Sequence, residues 1–329
     1  MRFGPVLLAD AEGAILAHSV QAGTKRLRKG LTLEASHIAA LRAADVSEVT
    51  VARLEPGDVH EDAAATRLAD ALVAGQGLRL GPASTGRCNI FAEGPGLARL
   101  DADAINRVNA VDPMITVATV PQYQRMEDGG MVATVKIISY AVPETALDAA
   151  CSAARDAVRC LAPKRTKALL IETMIDAPMS DKGARAIAAR VKALGGTLAV
   201  APHVRHDTDA LADALRAAQA DVILILTASA TSDPHDTAPE AVRRAGGTVA
   251  HFGMPVDPGN LLFIGTLAGV PVIGLPGCAR VPALNGADWV LERVMCGVDV
   301  TARDIMGMGV GGLLKEIPTR PQPRKPASP

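Results

Sequence analysis

The sequence predicts an α/β protein. A doubly wound, mostly parallel sheet fills its second half, and an α+β domain precedes it. Three observations carry this. From about residue 168 onward, short apolar runs alternate with helical stretches, the pattern of β–α–β units around a parallel sheet. The run DVILIL at 221–226 is apolar without alternation, as expected of a strand covered on both faces. Two helical stretches stop at paired glycines, Gly195-Gly196 and Gly246-Gly247, which suit left-handed C-caps.

Taken in order, residues 6–8 and 15–18 read as short strands. Residues 33–43 read as a helix, with Ala35, Ile38 and Leu41 on one face. Residues 48–52 alternate as a strand does, and 61–73 suit a helix. The stretch GPASTGRCNIFAEGPG at 81–96 is dense in turn formers and reads as loop. A helix is expected at 104–108, strands at 115–120 and 131–139, and a helix at 146–161. The hydrophilic PKRTK at 163–167 marks a boundary. Beyond it come a strand at 168–171, a helix at 182–194, a strand at 197–201, a helix at 209–218, the strand at 221–226, a helix at 238–245, and strands at 248–252 and 272–275. The expected domains are therefore 1–165 (α+β), 166–312 (α/β) and a Pro/Arg-rich tail at 313–329, which reads as extended or disordered. No internal repeat is visible.

Composition narrows the function. The chain has 329 residues, enough for about two domains. Hydrophobic residues make up 49% but aromatics only 2%, so aliphatic side chains must fill the core. The same scarcity argues against base stacking on single strands. The net charge of −1 supplies no basic face for nucleic acid. The N-terminal apolar run is broken by Asp10 and Glu12, unlike a signal peptide, and the run at 222–226 is far too short to span a bilayer. A cytoplasmic protein is expected, with no membrane or nucleic-acid partner. The cysteines Cys88, Cys151, Cys160, Cys278 and Cys296 are odd in number and without CxxC spacing, and read as reduced thiols.

The most informative stretch is LTASATSDPHDTAPEAV at 226–242, between a buried strand and a helix. Small residues Ala228, Ser229 and Ala230 let a ligand approach the backbone. Hydroxyls of Thr227, Ser229, Thr231 and Ser232 can donate to phosphate oxygens. The helix beginning near Asp236 offers free N–H groups to an anion. Asp236 itself can accept from ligand N–H groups or hold a cation. The same residues equally suit a strand-to-helix turn capped by Ser, Thr and Asp.

This stretch resembles the core motif of the molybdopterin-binding fold, shared by molybdopterin adenylyltransferases, molybdenum insertases and gephyrin-like proteins. Thr227 matches the opening hydroxyl residue, and Asp236 with Pro239, Glu240 and Ala241 matches the family's Asp and Pro-Glu-Ala. Pro258-Gly259-Asn260 resembles its Pro-Gly turn, and Leu275-Pro276-Gly277 its Leu-Pro-Gly turn, which lies beside the pterin phosphate in relatives. Asp181 resembles a further family aspartate. ASATSDPHD, FGMPVDPGN, LPGCAR, NGADWVLERV (285–294), MGVGGLLKEIPTRPQPR (308–324) and MVATVKII (131–138) resemble, more narrowly, a bacterial group of molybdopterin-binding proteins found alone or fused to a molybdopterin nucleotidyltransferase. No such transferase segment and no GxxxxGK[ST] loop occurs in these residues. The opening AEGAILAHSV and the following LRKGLTLEASHIAALRAADVSEVTV loosely resemble the non-catalytic domains of molybdenum insertases.

The resemblance implies a ligand, molybdopterin or molybdenum cofactor, with Mg²⁺ as a further candidate. It implies catalytic roles for Asp236, Asp181 and Asp233. Binding roles fall on residues 227–232, on Pro258, Gly259 and Asn260, and on Pro276, Gly277, Cys278 and Arg280. It also implies a homo-oligomer and a nucleotidyltransferase or molybdoenzyme partner. There are departures: Ala228 and Ser229 replace two adjacent glycines, Asp233 occupies a small position, and His235 replaces a common basic residue.

Within this set, Cys278 reads as a metal-facing or buried thiol, and Arg280 as a phosphate fork or a surface ion pair. His203 and His206 have HxxH spacing without a third ligand, and Asp207 suits a helix cap. TGRCN at 85–89 reads as loop or anion contact. Lys136 reads as a buried amine or an edge-strand gatekeeper. MGMGVGG at 306–312 reads as hinge or C-cap, and Trp289 as core or interface in an amphipathic helix. Three functions stand open: an enzyme of late cofactor assembly, a non-catalytic carrier, and an interaction module without pterin.

Overall fold

Val222–Leu226 is buried along its whole length, and this five-residue strand is the centre from which the second half of the protein is built. The computed structural model describes residues 1–73, 75, 77–176 and 180–314. The expected tail falls almost wholly outside them. Two compact units are present: residues 1–94 with 98–160, and 95–97 with 161 onward.

In the second unit the strands are β1 (Lys167–Met174), β2 (Thr197–Val200), β3 (Val204–Arg205), β4 (Val222–Leu226), β5 (Thr248–Phe252), β6 (Phe263–Leu267) and β7 (Val270–Gly274). The helices are α1 (Lys182–Ala193), α2 (Thr208–Arg216), α3 (Thr237–Arg244), α4 (Gly286–Met295) and α5 (Ala302–Met306). The sheet runs β2-β1-β4-β7-β6-β5, with β3 pairing the far end of β1. Strands β2, β3, β1, β4 and β7 are parallel, and β6 and β5 complete one side as antiparallel strands. The architecture is thus the expected mixed α/β fold with a mostly parallel sheet. Parallel strands covered on both faces need apolar residues in succession, which is why DVILIL does not alternate. Gly195 and Gly246 end α1 and α3 at φ +70° and +94°, conformations that a Cβ would oppose.

The strand β6, FIGTL, has no counterpart in the sequence reading. It lies between β5 and β7, and its first three residues are buried. Its short apolar run lacks alternation, and the two-residue turn Ala268-Gly269 that separates it from β7 carries only one turn former. Phe263 fills the space above Gly274, where an added Cβ would stand 1.9 Å from a ring carbon.

At the amino-terminal edge of the sheet, the backbone N–H groups of Lys167 and Thr166 donate to Asp221 Oδ2 at 2.9 and 3.0 Å. These bonds, that from Lys167 foremost, hold the carboxyl below its ordinary range. A depressed native pKa stabilises the fold above the unfolded-state value, and that contribution is lost as pH falls through the native one. Asp221→Asn should therefore lower Tm at neutral pH and flatten the fall of Tm below about pH 4. Thermal denaturation across a pH series checks this, and parallel curves for both proteins would contradict it.

The first unit is rich in strands. Arg2–Leu7, Glu48–Arg53 and Ile15–Leu16 form an antiparallel sheet over one aliphatic cluster that includes Leu16, Leu33 and Leu41. Ile115–Thr119, Met131–Ile137, Arg87–Ala92 and Leu78–Leu80 form a second sheet, packed with the helices Glu61–Leu72, Ala102–Asn109 and Glu144–Ala154 around another cluster.

Three expectations fail here. The loop expected at 81–96 contains the strand Arg87–Ala92. Cys88, Ile90 and Ala92 point inward there, and the turn formers on either side masked this alternation. The helix expected at 146–161 ends at Ala154. Asp156 turns the chain at φ +58°, and Val158–Leu161 is a strand, so an alanine-rich helical pattern ran past its true end. Lys136 is no edge gatekeeper, because its strand lies between two others. Its ammonium instead donates to the Thr85 carbonyl.

The described cysteines form no disulfide. Burial pushes the Cys88, Cys151 and Cys160 thiols up, which keeps them protonated at neutral pH. No described helix is long and apolar enough to cross a membrane.

Candidate functional site

Parallel strands deliver their carboxyl ends to one edge of the sheet, and ligands of open α/β folds bind in crevices there. Three segments emerge at that edge from parallel strands: the end of β1, residues 227–236 after β4, and residues 275–285 after β7. The antiparallel β5 and β6 bring residues 253–262 to the same edge.

The 227–236 loop is tied by its own side chains. The Thr227 hydroxyl donates to the Ser229 carbonyl at 2.6 Å and lies 3.3 Å from the Thr231 hydroxyl. Asp236 caps α3, with Oδ1 accepting from Thr237 N–H at 2.7 Å and Oδ2 from Ser232 N–H at 3.0 Å. Asp233 accepts from His235 N–H at 2.8 Å. The N–H groups of Ser229, Ala230 and Thr231 meet no acceptor among the described residues. The loop therefore presents consecutive backbone donors and the Ser232 hydroxyl at the mouth of a helix, chemistry suited to an anion.

Two residues that the sequence reading missed support this loop. The expected strand at 168–171 continues to Met174, which carries Glu172 and Thr173 to the sheet edge. Thr173 Oγ1 accepts from Ala228 N–H at 2.8 Å and stands 3.0 Å from His206 Nδ1. Glu172, 2% exposed, lies 3.8 Å from both Arg280 Nη1 and His203 Nε2, and its Oε1 has no hydrogen-bond partner among the described residues. Arg280 Nη2 donates to the Thr227 carbonyl at 2.6 Å. Burial pulls the Arg280 guanidinium down from its ordinary value, and Glu172 opposes this. A carboxylate ending an apolar strand was the available signal for Glu172.

Arg190 is a third missed residue. All its donor groups are engaged: with Asp288, with the Ala186 and Ala279 carbonyls at 3.2 and 2.9 Å, and with the Val281 and Ala283 carbonyls at 2.8 and 3.0 Å. This one side chain holds the turn after Pro276 in shape. That turn, a 3-10 segment at Gly277–Arg280, exposes Gly277, half-buries Cys278 and aims Arg280 back at β4.

The remaining candidates are dispersed along the edge. Pro258 and Gly259 are buried against the start of α4. Gly286 N–H donates to Pro258 O at 2.8 Å there, and a Cβ on Gly259 would stand 2.8 Å from Gly286 N. Asn260 is exposed, with its amide 3.3 Å from Met254 O. Asp181 begins α1, is 70% exposed and pairs with Arg185 at 2.9 Å. The structure thus forms two hydrogen-bonded groups on this loop, one of Thr227, Ala228, Ser229, Thr231, Thr173 and Arg280 and one of Ala230, Ser232, Asp236 and Thr237, and leaves Asp181 outside both.

His203 and His206 are wired to Glu172 and Thr173, and no group of three or more His, Cys, Asp or Glu among the described residues is placed to hold a metal ion. His203 also lines a groove of about 690 Å³ with Leu169, Val204, Ala214 and Ala218. Asp207 caps α2 through Asp209 and Ala210 N–H. The helix α4 is buried on most faces rather than amphipathic, with Trp289 half-buried.

Residues 170–294 match the family model described as a probable molybdopterin binding domain, and residues 5–53 match DUF8806, a domain of unknown function. The α/β unit accordingly has the molybdenum-cofactor biosynthesis fold. No curated protein matches the chain. Among solved structures it is similar to the molybdopterin biosynthesis moea protein of Pyrococcus horikosii, at 14% identity over 94% of this chain and 76% of that one, TM-score 0.30. It is also similar to a molybdenum cofactor biosynthesis protein of Pyrococcus furiosus, at 13% identity over 91% of this chain and 66% of that one, TM-score 0.25. Similarity this distant leaves the match over 170–294 as the finding that bears on function.

Proposed function

We propose that this protein binds molybdopterin, or molybdenum cofactor, at the strand-end loops of its α/β unit and acts in late molybdenum-cofactor biosynthesis or delivery. The observation that carries the reading is the run of unengaged N–H groups at Ser229, Ala230 and Thr231, set inside the segment matched by the molybdopterin-binding model. Such donors fit the phosphate of the ligand. Arg280 supplies a cation beside them, and the Ser232 hydroxyl a further polar contact.

Among the open roles, the carrier is favoured by how the carboxylates are used. Asp236 and Asp233 turn inward to backbone N–H groups of their own loop, and Asp181 pairs with Arg185. Their work is to shape a receptor. A carrier would hand its pterin to a nucleotidyltransferase or molybdoenzyme, as a homo-oligomer in the cytoplasm.

The test is protein purified anaerobically from a host that makes molybdopterin, then oxidised and assayed for a fluorescent pterin. Pterin in stoichiometric amount, with no pyrophosphate released from ATP or CTP, is the expected result. Pyrophosphate release would replace the carrier by a nucleotidyl-transfer enzyme. Absence of pterin, with no binding on direct titration, would overturn the reading in favour of an interaction module.

A further inference from the structure

The Thr227 carbonyl and the Ala228 N–H belong to one peptide plane. Arg280 Nη2 holds its oxygen at 2.6 Å, and Thr173 Oγ1 holds its N–H at 2.8 Å. These two side chains come from different segments, the turn after β7 and the end of β1, and they grip opposite ends of the same rigid group. Each grip has a support behind it. Glu172 faces the Arg280 guanidinium at 3.8 Å, and His206 Nδ1 lies 3.0 Å from the Thr173 hydroxyl.

We propose that Thr173 is a positioning residue and that it forms, with Arg280, a clamp on the 227–228 peptide that presets the anion-binding loop. The inference rests on the reading that residues 229–232 receive the ligand's phosphate. The physical need is clear from the residues. Ala228, Ser229 and Ala230 carry small side chains, and ordering such a backbone costs conformational entropy at every residue. A loop left to order itself at binding would subtract that from affinity. The clamp fixes the first peptide of the loop before the ligand arrives, so that the following N–H groups start from a set direction. The hydroxyl of Thr173 is the only part of its side chain the clamp uses, so serine should serve and the isosteric valine should not.

The test reads the clamp and the ligand separately. In protein from a host unable to make molybdopterin, hydrogen exchange of the Ala228 amide should rise about fivefold to tenfold in Thr173→Val, the loss of one hydrogen bond of about 1 kcal/mol. Exchange should return to the wild-type rate in Thr173→Ser. Arg280→Lys never touches that N–H, yet it should also speed its exchange, because freeing the carbonyl frees the whole plane. In protein from a competent host, pterin content should fall in Thr173→Val and recover in Thr173→Ser. Unchanged Ala228 exchange in Thr173→Val, or in Arg280→Lys, would overturn the clamp. Faster exchange in both variants with no pterin in any protein would uphold the clamp and overturn the pterin reading. Should Thr173→Val fail to fold, the Arg280→Lys exchange alone decides.

Discussion

Arg190→Ala is expected to destabilise the α/β unit by about 3–5 kcal/mol, the usual cost of stripping one partner from a buried ion pair. Arg190 is 8% exposed and Asp288 5%, so removing the guanidinium leaves a carboxylate with little access to water. The carbonyls of Ala279, Val281 and Ala283 lose their donors at the same time, and these set the turn that aims Arg280. Pterin content should fall along with stability. Urea unfolding measures the first effect, and a change below about 1 kcal/mol would show that water replaces the guanidinium. Adding Asp288→Asn to Arg190→Ala should recover part of the loss, since it removes the stranded charge but not the missing donors. Asp288 also accepts from Asn285 N–H at 2.8 Å, so recovery will be incomplete.

Asp236→Ala should leave the protein folded and empty its site. The helix cap contributes about 1 kcal/mol, so Tm should drop by only a few degrees. The loop, however, loses both acceptors that fold Ser232 and Thr237 onto the start of α3. Those bonds preset the loop for its ligand, and re-ordering a freed loop at binding corresponds to a roughly tenfold fall in pterin retained. Asp236→Asn, which keeps one acceptor oxygen, should fall between. Full pterin content in Asp236→Ala would remove this loop from the binding site.

How much of this could be read from the chain alone depends on whether the cause was local. Periodicity, apolar runs and glycine stops are local, and they marked the central strand Val222–Leu226, the helices α1, α2 and α3, and the loop at 227–236 as a small, hydroxyl-rich strand-to-helix connection. The cap formed by Asp236 was legible for the same reason: its partners lie within four residues.

What the tertiary structure decided involves partners far apart in sequence. Thr173 meets Ala228 across 55 residues, Arg280 meets Thr227 across 53, and Arg190 meets Asp288 across 98. No window of sequence contains both members of such a pair. The same holds for the strand Phe263–Leu267, whose apolar run became a strand because it found an edge between two others. His203 and His206 have HxxH spacing without a third ligand in sequence, and the fold points one ring at Glu172 and the other at Thr173. By itself the sequence determined the fold class and marked residues 227–236 as the connection leaving the central strand, because both follow from the order of apolar and turn-forming residues. Only the packed sheet decided which side chains hold that segment in shape, because adjacency of strand ends is a property of the sheet and not of the chain.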